Sequence, residues 1–138
     1  MSDLDATRLL LLAQDAAELP LLSSLVQDAT LRPLDIAWDT RAHRLVALIG
    51  RYRWEAHDNS RIRTALRFDH VLRAERRNWP ADPDSAMLAL LAMTLDGDLL
   101  TLAFSGGTTL RLTLEVVDVT LEDLTAPWAA ARQPEHDA

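Results

Sequence analysis

Hydrophobic and polar residues alternate along most of the chain after Leu34, and this period of two is typical of β-strands. The alternation predicts strands near residues 34–39, 44–55, 61–74, 86–95, 99–105 and 109–122. Asp96-Gly97 and Gly106-Gly107 separate later strands and are typical of hairpin turns. Successive strands joined by short turns predict an antiparallel meander.

The N-terminal part has a different pattern. Residues 8–14 are a predicted first strand, and a helix follows to about Asp28. Asp15 with Glu18 three residues later resembles a capping box, and Pro20 places the regular helix start near Glu18. Three apolar residues share one face of this helix: Leu19, Leu22 and Val26.

These elements predict an α+β fold in which an antiparallel β meander, as a curved sheet or a partly open barrel, packs against one N-terminal helix. The 138 residues contain no repeat and no linker-like tract, so we expect a single domain over 4–128. Residues 129–138 are predicted to be a flexible C-terminal tail.

Composition limits the classes of protein that the chain can represent. It contains no cysteine, which excludes disulfides, zinc–thiolate sites and thiol nucleophiles and fits a cytoplasmic protein. The apolar run Leu9–Ala13 is too short to cross a membrane, and Asp3 and Asp5 precede it where a secretion signal has basic residues. We therefore expect a cytoplasmic protein without a membrane segment.

Charge is distributed unevenly. The net charge is −7, there is no lysine, and all fourteen basic residues are arginine. Ten of them lie between Arg41 and Arg77 with only four acidic residues, so this segment carries +6 and the remainder −13. The clustering indicates an arginine-rich surface.

The alternation assigns these arginines to one face of a β-hairpin. On the first strand the polar side holds Arg51, Arg53 and Glu55, opposite Val46, Leu48, Tyr52 and Trp54. On the second strand it holds Arg61, Arg63, Arg67, Asp69 and Arg73, opposite Ile62, Leu66, Phe68 and Leu72.

A hairpin loop centred on Asp58 has consequences for the pairing across these strands. It places Glu55 opposite Arg61, a favourable pair in which Glu55 orients the arginine. It also places Arg53 opposite Arg63, and like charges in that position cost up to about 1 kcal/mol. A face of this kind attracts an anion, because the planar guanidinium binds carboxylate or phosphate through two hydrogen bonds.

Other roles for the arginines stay open at this stage. A neighbouring strand, for instance through Glu115, would turn the face into an internal arginine–carboxylate network. Nucleic acid is an alternative ligand, disfavoured by the acidic net charge and by aromatic residues on the opposite side. An anionic metabolite is a third, and the sequence does not choose between monomer and homodimer.

Catalytic motifs are missing from the sequence. There is no glycine-rich phosphate loop, dinucleotide fingerprint or serine elbow, and the absence of lysine excludes a Schiff base. The four histidines are too widely spaced to indicate a metal site. We expect no catalytic residues, no metal and no cofactor.

Several spaced motifs resemble a known family. They are Gln27-Asp28-Ala29, Arg51-Tyr52-Arg53-Trp54-Glu55, Arg61-Ile62-Arg63 with Leu66, Phe68-Asp69 and Val71, Phe104, Gly106-Gly107, Arg111-Leu112, Asp123-Leu124, Trp128, Pro134 and His136. The chain resembles, from Arg8 to His136, the domain-of-unknown-function family 2948 of small uncharacterised alphaproteobacterial proteins. The resemblance implies no activity or cofactor. It leads us to expect Asn where this chain has Gly50.

The sequence thus predicts a non-enzymatic binding or adaptor module. Its hairpin face is expected to recognise an acidic protein surface or another anion. The candidate residues are Arg51, Arg53, Glu55, Arg61, Arg63 and Arg67.

Overall fold

A computed structural model of the chain describes residues 7–130 and Pro134. The strands are β1 (Leu10–Ala13), β2 (Thr30–Leu31), β3 (Ile36–Asp39), β4 (Arg44–Tyr52), β5 (Ser60–Phe68), β6 (Val71–Arg77), β7 (Leu88–Asp96), β8 (Leu99–Phe104), β9 (Thr109–Leu114), β10 (Val119–Asp123) and β11 (Trp128–Ala129). The α-helix within these residues, α1, spans Leu19–Leu25, and 3₁₀ turns lie at Pro33–Asp35 and Ser105–Gly107.

The strands form one antiparallel sheet in the order β1-β10-β5-β4-β2-β7-β8-β9-β6, with β3 also paired to β4 and β11 to β5. Its two ends, β1 and β6, are not paired to each other within residues 7–130, so the sheet is not closed. A predominantly antiparallel sheet with one helix is confirmed. The prediction of a simple meander is wrong, because β6 pairs with β9 and the short β2 lies between β4 and β7 and pairs with both.

Several predicted strands have different bounds. The predicted strand 61–74 is two strands, β5 and β6. The extended backbone is interrupted at His70, whose φ of 57° is left-handed. The predicted strand 109–122 divides into β9 and β10, and β4 ends at Tyr52 rather than at 55. Two-residue strands such as β2 and β11 carry no detectable periodicity, so the sequence did not predict them.

Helix α1 begins near the predicted residue and ends earlier. The backbone N–H of Glu18 donates to Asp15 Oδ1 at 3.0 Å, and the N–H of Gln14 donates to Glu18 Oε1 at 3.0 Å. The predicted helix face, Leu19, Leu22 and Val26, is buried in the same hydrophobic core as the strand residues. The helix ends at Leu25 and not at Asp28.

The core-facing rows of β4 and β5 position the candidate site. On β5 Ile62, Leu66 and Phe68 are buried, as predicted, whereas Leu72, assigned to the same row, lies on β6 and is exposed. On β4 the predicted face is inverted, since the buried row is Leu45, Ala47 and Ile49. Arg51 continues that buried row, so a charged side chain enters the interior where apolar ones precede it.

The C-terminal residues that the structure describes extend the sheet. Ala129, where we expected the tail to begin, lies in β11, and the N–H of Ala130 donates to the carbonyl of Asn59 at 2.9 Å. Residues 131–133 and 135–138 of the predicted tail, and 4–6 of the predicted domain, lie outside the described residues.

Candidate functional site

The structure divides the predicted arginine face into two groups. The register places Arg51 opposite Ile62 and Tyr52 opposite Arg61, while Gly50 is opposite Arg63. The predicted Glu55–Arg61 and Arg53–Arg63 pairs are therefore wrong, and so is a single arginine face. Arg51 and Arg53 lie inside the protein, and Arg61, Arg63 and Arg67 lie on the opposite face of the sheet.

Arg51 is completely buried, and each of its five N–H groups donates a hydrogen bond. Nε and Nη2 donate to Asp123 Oδ1 and Oδ2 at 3.1 and 2.8 Å. Nη1 and Nη2 donate to Glu55 Oε1 and Oε2 at 2.8 and 2.9 Å, and Nη1 also donates to the carbonyl of Tyr52 at 3.4 Å. No donor of Arg51 is left for an external anion, and Glu55 orients Arg51 instead of Arg61.

Asp123 is the buried counterpart of this arginine. Its carboxylate also accepts from Thr64 Oγ1 at 2.7 Å and from the N–H of Leu9 at 2.9 Å. Burial raises the pKa of Asp123, but the hydrogen bonds from Arg51, Leu9 and Thr64 outweigh it and hold the pKa below the usual 3.8. The ion pair links β4 to β10, and the hydrogen bonds from Thr64 and Leu9 attach β5 and the residue before β1 to the same carboxylate.

Arg53 is held in a second internal cluster. Its Nη1 donates to Asp58 Oδ2 at 3.2 Å and to Ser60 Oγ at 3.1 Å, and its Nη2 donates to the carbonyl of Thr7 at 3.3 Å. The Ser60 hydroxyl donates in turn to the carboxylate of Asp58. Arg53 is 1 % exposed, so its contacts stabilise the turn between β4 and β5 rather than presenting a charge to solvent.

Two arginines on the outer face are engaged within the chain. Arg61 Nη1 donates to the carbonyl of Gly50 at 3.0 Å, and its guanidinium lies over the Tyr52 ring, 5.8 Å from the centroid. Burial lowers the pKa of Arg61. Arg67 Nε donates to Asp69 Oδ2 at 2.9 Å, and this carboxylate is shared with Arg44 at 2.7 Å.

Arg63 differs from the other candidate residues. Its side chain is exposed and has no carboxylate within ion-pair distance among the described residues. It borders a surface depression of about 220 Å³ that we call the Arg63 depression. Its lining includes Arg32, Asp35, Gly50, Arg63, Met87 and Trp128.

Gly50 creates the space in this depression. A Cβ atom at residue 50 would lie 3.3 Å from Thr30 Oγ1, so any larger side chain would fill the gap between β2 and β5. This is the residue at which the family resemblance leads us to expect Asn. The depression is therefore deeper here than a chain with Asn would allow.

Electrostatics single out Arg63 within the depression. Arg32 Nη2 lies 3.2 Å from Asp35 Oδ1 in an i, i+3 ion pair, so these two charges balance. Burial raises the pKa of Asp35, but the hydrogen bonds from Arg32 and the nearby charges of Arg32 and Arg63 lower it overall. The two arginines and one aspartate that line the depression sum to +1, and Arg63 is the arginine without an ion-pair partner among the described residues.

No three His, Asp or Glu side chains within residues 7–130 and Pro134 lie together as a metal site requires. In the same part of the chain, no helix is long and apolar enough to cross a membrane.

Comparison with known families identifies the chain. The model of a family described as "Protein of unknown function (DUF2948)" matches residues 9–136. The chain belongs to this family. The match confirms the resemblance that the motifs indicated and assigns DUF2948 no activity or ligand. Neither the curated proteins nor the solved structures gave a match.

The sequence did not reveal several residues of the DUF2948 chain that matter at these sites. Asp123 and Thr64 complete the Arg51 cluster, and Met87 and Trp128 border the Arg63 depression. Thr64 lies on β5 of the hairpin itself, but no local pattern links Asp123, Met87 or Trp128 to it. Trp128 lies opposite Arg61 only because β11 pairs with β5.

Proposed function

We propose that the chain is a non-enzymatic binding module whose Arg63 depression recognises an acidic segment of another protein. One observation carries the proposal. Arg63 is an exposed guanidinium without an ion-pair partner in the described residues, and it lies beside Trp128 and Met87, which are 44 % and 63 % exposed.

The residue types support a protein as the ligand. Arginine, tryptophan and methionine are enriched where protein interfaces bind most strongly, because each combines a large contact area with a polar or adaptable group. The cavity of about 220 Å³ is smaller than the usual pocket for a drug-sized ligand, but it has room for one side chain of a partner.

The charge supports an acidic partner. The fork of Arg63 can donate two hydrogen bonds to one carboxylate, with Trp128 and Met87 covering an adjacent apolar residue. Arg61 and Arg67 flank this position on β5, so their positive potential extends along the strand although each has partners inside the chain.

Capture from the native host lysate with two matched reversals tests the proposal. Arg63→Glu reverses the charge of the depression, and Arg41→Glu reverses an exposed arginine in the turn before β4. Half of each lysate is treated with nuclease. A photo-crosslinking residue at position 128 then identifies the partner peptide that contacts the depression.

The expected result is a nuclease-resistant protein that the parent chain and Arg41→Glu retain and Arg63→Glu loses. The peptide cross-linked at position 128 should carry Asp or Glu beside an apolar residue. Gly50→Asn should weaken the capture because it fills the depression. Equal capture by Arg63→Glu, or a retained species that nuclease removes, would overturn the proposal, and the latter would favour nucleic acid.

A further inference from the structure

A second cavity lies between β3 and β6. No backbone pairing joins these two strands within residues 7–130, and side chains from both strands line the gap. The cleft has a volume of about 240 Å³. Its apolar lining includes Ile36, Trp38, Leu45, Ala74, Trp79 and Leu110.

The lining suits a flat apolar group. Leu45 and Leu110 are buried and form the floor, while the half-buried indoles of Trp38 and Trp79 contribute from β3 and from the segment after β6. An apolar cavity of about 150 Å³ is large enough to bind benzene. The cleft therefore has room for one aromatic ring and a short substituent.

A cation borders the same cleft. The guanidinium carbon of Arg76 lies 5.4 Å from the centroid of the Trp79 ring. Arg76 has no carboxylate within ion-pair distance among the described residues. Ala74 and Arg76 share the face of β6 that borders the cleft, whereas Arg73 and Glu75 lie on the other face and pair with each other.

We propose that this cleft binds a small aromatic carboxylate, with the ring between Trp38 and Trp79 and the carboxylate on Arg76. Apolar lining and a cation at its border are complementary to the two ends of such a molecule. The cleft and the Arg63 depression share no lining residue, although both border the 3₁₀ turn Pro33–Asp35. The two proposals can therefore fail independently.

Phenylacetate is the probe, and phenylacetamide is its neutral analogue of the same shape. Binding is followed through the indole N–H signals in NMR spectra of the full chain, assigned with Trp38→Phe and Trp79→Phe. Arg76→Gln removes the charge at the cleft. Arg77→Gln is the matched control, because residue 77 is next along β6 and its side chain lies on the opposite face.

Phenylacetate should shift the Trp38 and Trp79 signals saturably. Phenylacetamide should bind about tenfold more weakly or worse, and Arg76→Gln should weaken phenylacetate binding to the same extent. Arg77→Gln should change the affinity less than twofold. Ala74→Leu should abolish binding by filling the cleft while the other amide signals show an intact fold.

Three results would overturn the proposal. They are no saturable shift up to the solubility limit of phenylacetate, equal affinity for the acid and the amide, and equal losses in Arg76→Gln and Arg77→Gln. None of these experiments involves a protein partner, so they leave the test of the Arg63 depression unaffected.

Discussion

The guanidinium of Arg51 and the carboxylate of Asp123 form a two-point ion pair, with Nε–Oδ1 at 3.1 Å and Nη2–Oδ2 at 2.8 Å, and neither side chain is accessible to solvent. A buried ion pair is stable only when its remaining polar atoms are also satisfied. Glu55, Thr64 and the N–H of Leu9 complete that set. The pair is thus a structural link across strands.

Removing one partner of this pair should destabilise the fold strongly. We expect Arg51→Met to lower the free energy of unfolding by about 3–5 kcal/mol, because Asp123 would stay buried without its cation. Urea unfolding measures the change. The control is Arg67→Met, whose ion pair with Asp69 lies at the surface and should cost about 1 kcal/mol or less. Similar losses for both variants would contradict a special role for the buried pair.

The same cluster predicts a dependence of stability on acid. The pKa of Asp123 is lower in the folded chain than its usual 3.8, so the folded state binds fewer protons than the unfolded state. Its stabilisation is complete above pH 3.8 and is lost as the pH falls through the folded pKa. Urea unfolding between about pH 6 and pH 2 should show the loss, and Asp123→Asn should show a smaller slope. If the free energy of unfolding depends on pH as steeply in Asp123→Asn as in the parent chain, Asp123 is not the cause of the acid sensitivity.

Arg53 should matter for stability and not for recognition. We expect Arg53→Ala to lower the free energy of unfolding by about 1–3 kcal/mol, since it leaves Asp58 and Ser60 without their buried donor. Arg63→Ala, on the exposed face, should change it by less than about 0.5 kcal/mol. Thermal and urea unfolding of the two variants measure both changes in the free energy of unfolding. Equal losses would show that Arg63 is structural as well.

The hairpin between β7 and β8 should depend on Gly97. This residue has a φ of 62°, which a side chain disfavours by about 1–2 kcal/mol. A Cβ atom there would meet no other atom within 4 Å, so the expected loss in Gly97→Ala comes from the backbone alone. Asp98→Ala changes the neighbouring residue of the same turn, and its unfolding curve should lie close to that of the parent chain. An unchanged free energy of unfolding in Gly97→Ala would contradict this prediction.

The sequence predicted the type of most strands because their periodicity is local, but it could not choose a face for β4. Both rows of this strand are apolar, with Leu45, Ala47 and Ile49 on one side and Val46 and Leu48 on the other. The alternation therefore places the arginines that follow on the polar face of the hairpin. Asp123, 72 residues away from Arg51, and Glu55 together make the interior favourable for it.

The break between β5 and β6 was beyond prediction for a different reason. The left-handed residue there is His70, and no glycine or proline marks the turn. The candidate site was predicted in part. Arg63 was among the proposed residues, but Met87 and Trp128 reach it through pairings of β2 and β11 too short to leave a pattern.

The hydrogen bond between the N–H of Leu9 and Asp123 spans 114 residues of chain. Contacts between distant residues form late, because the loop that they close carries a large entropic cost. The β4–β5 hairpin needs only a short loop and can form while synthesis continues. Among the described residues β1 pairs with β10 alone, so it can join the sheet only after β10 has left the ribosome.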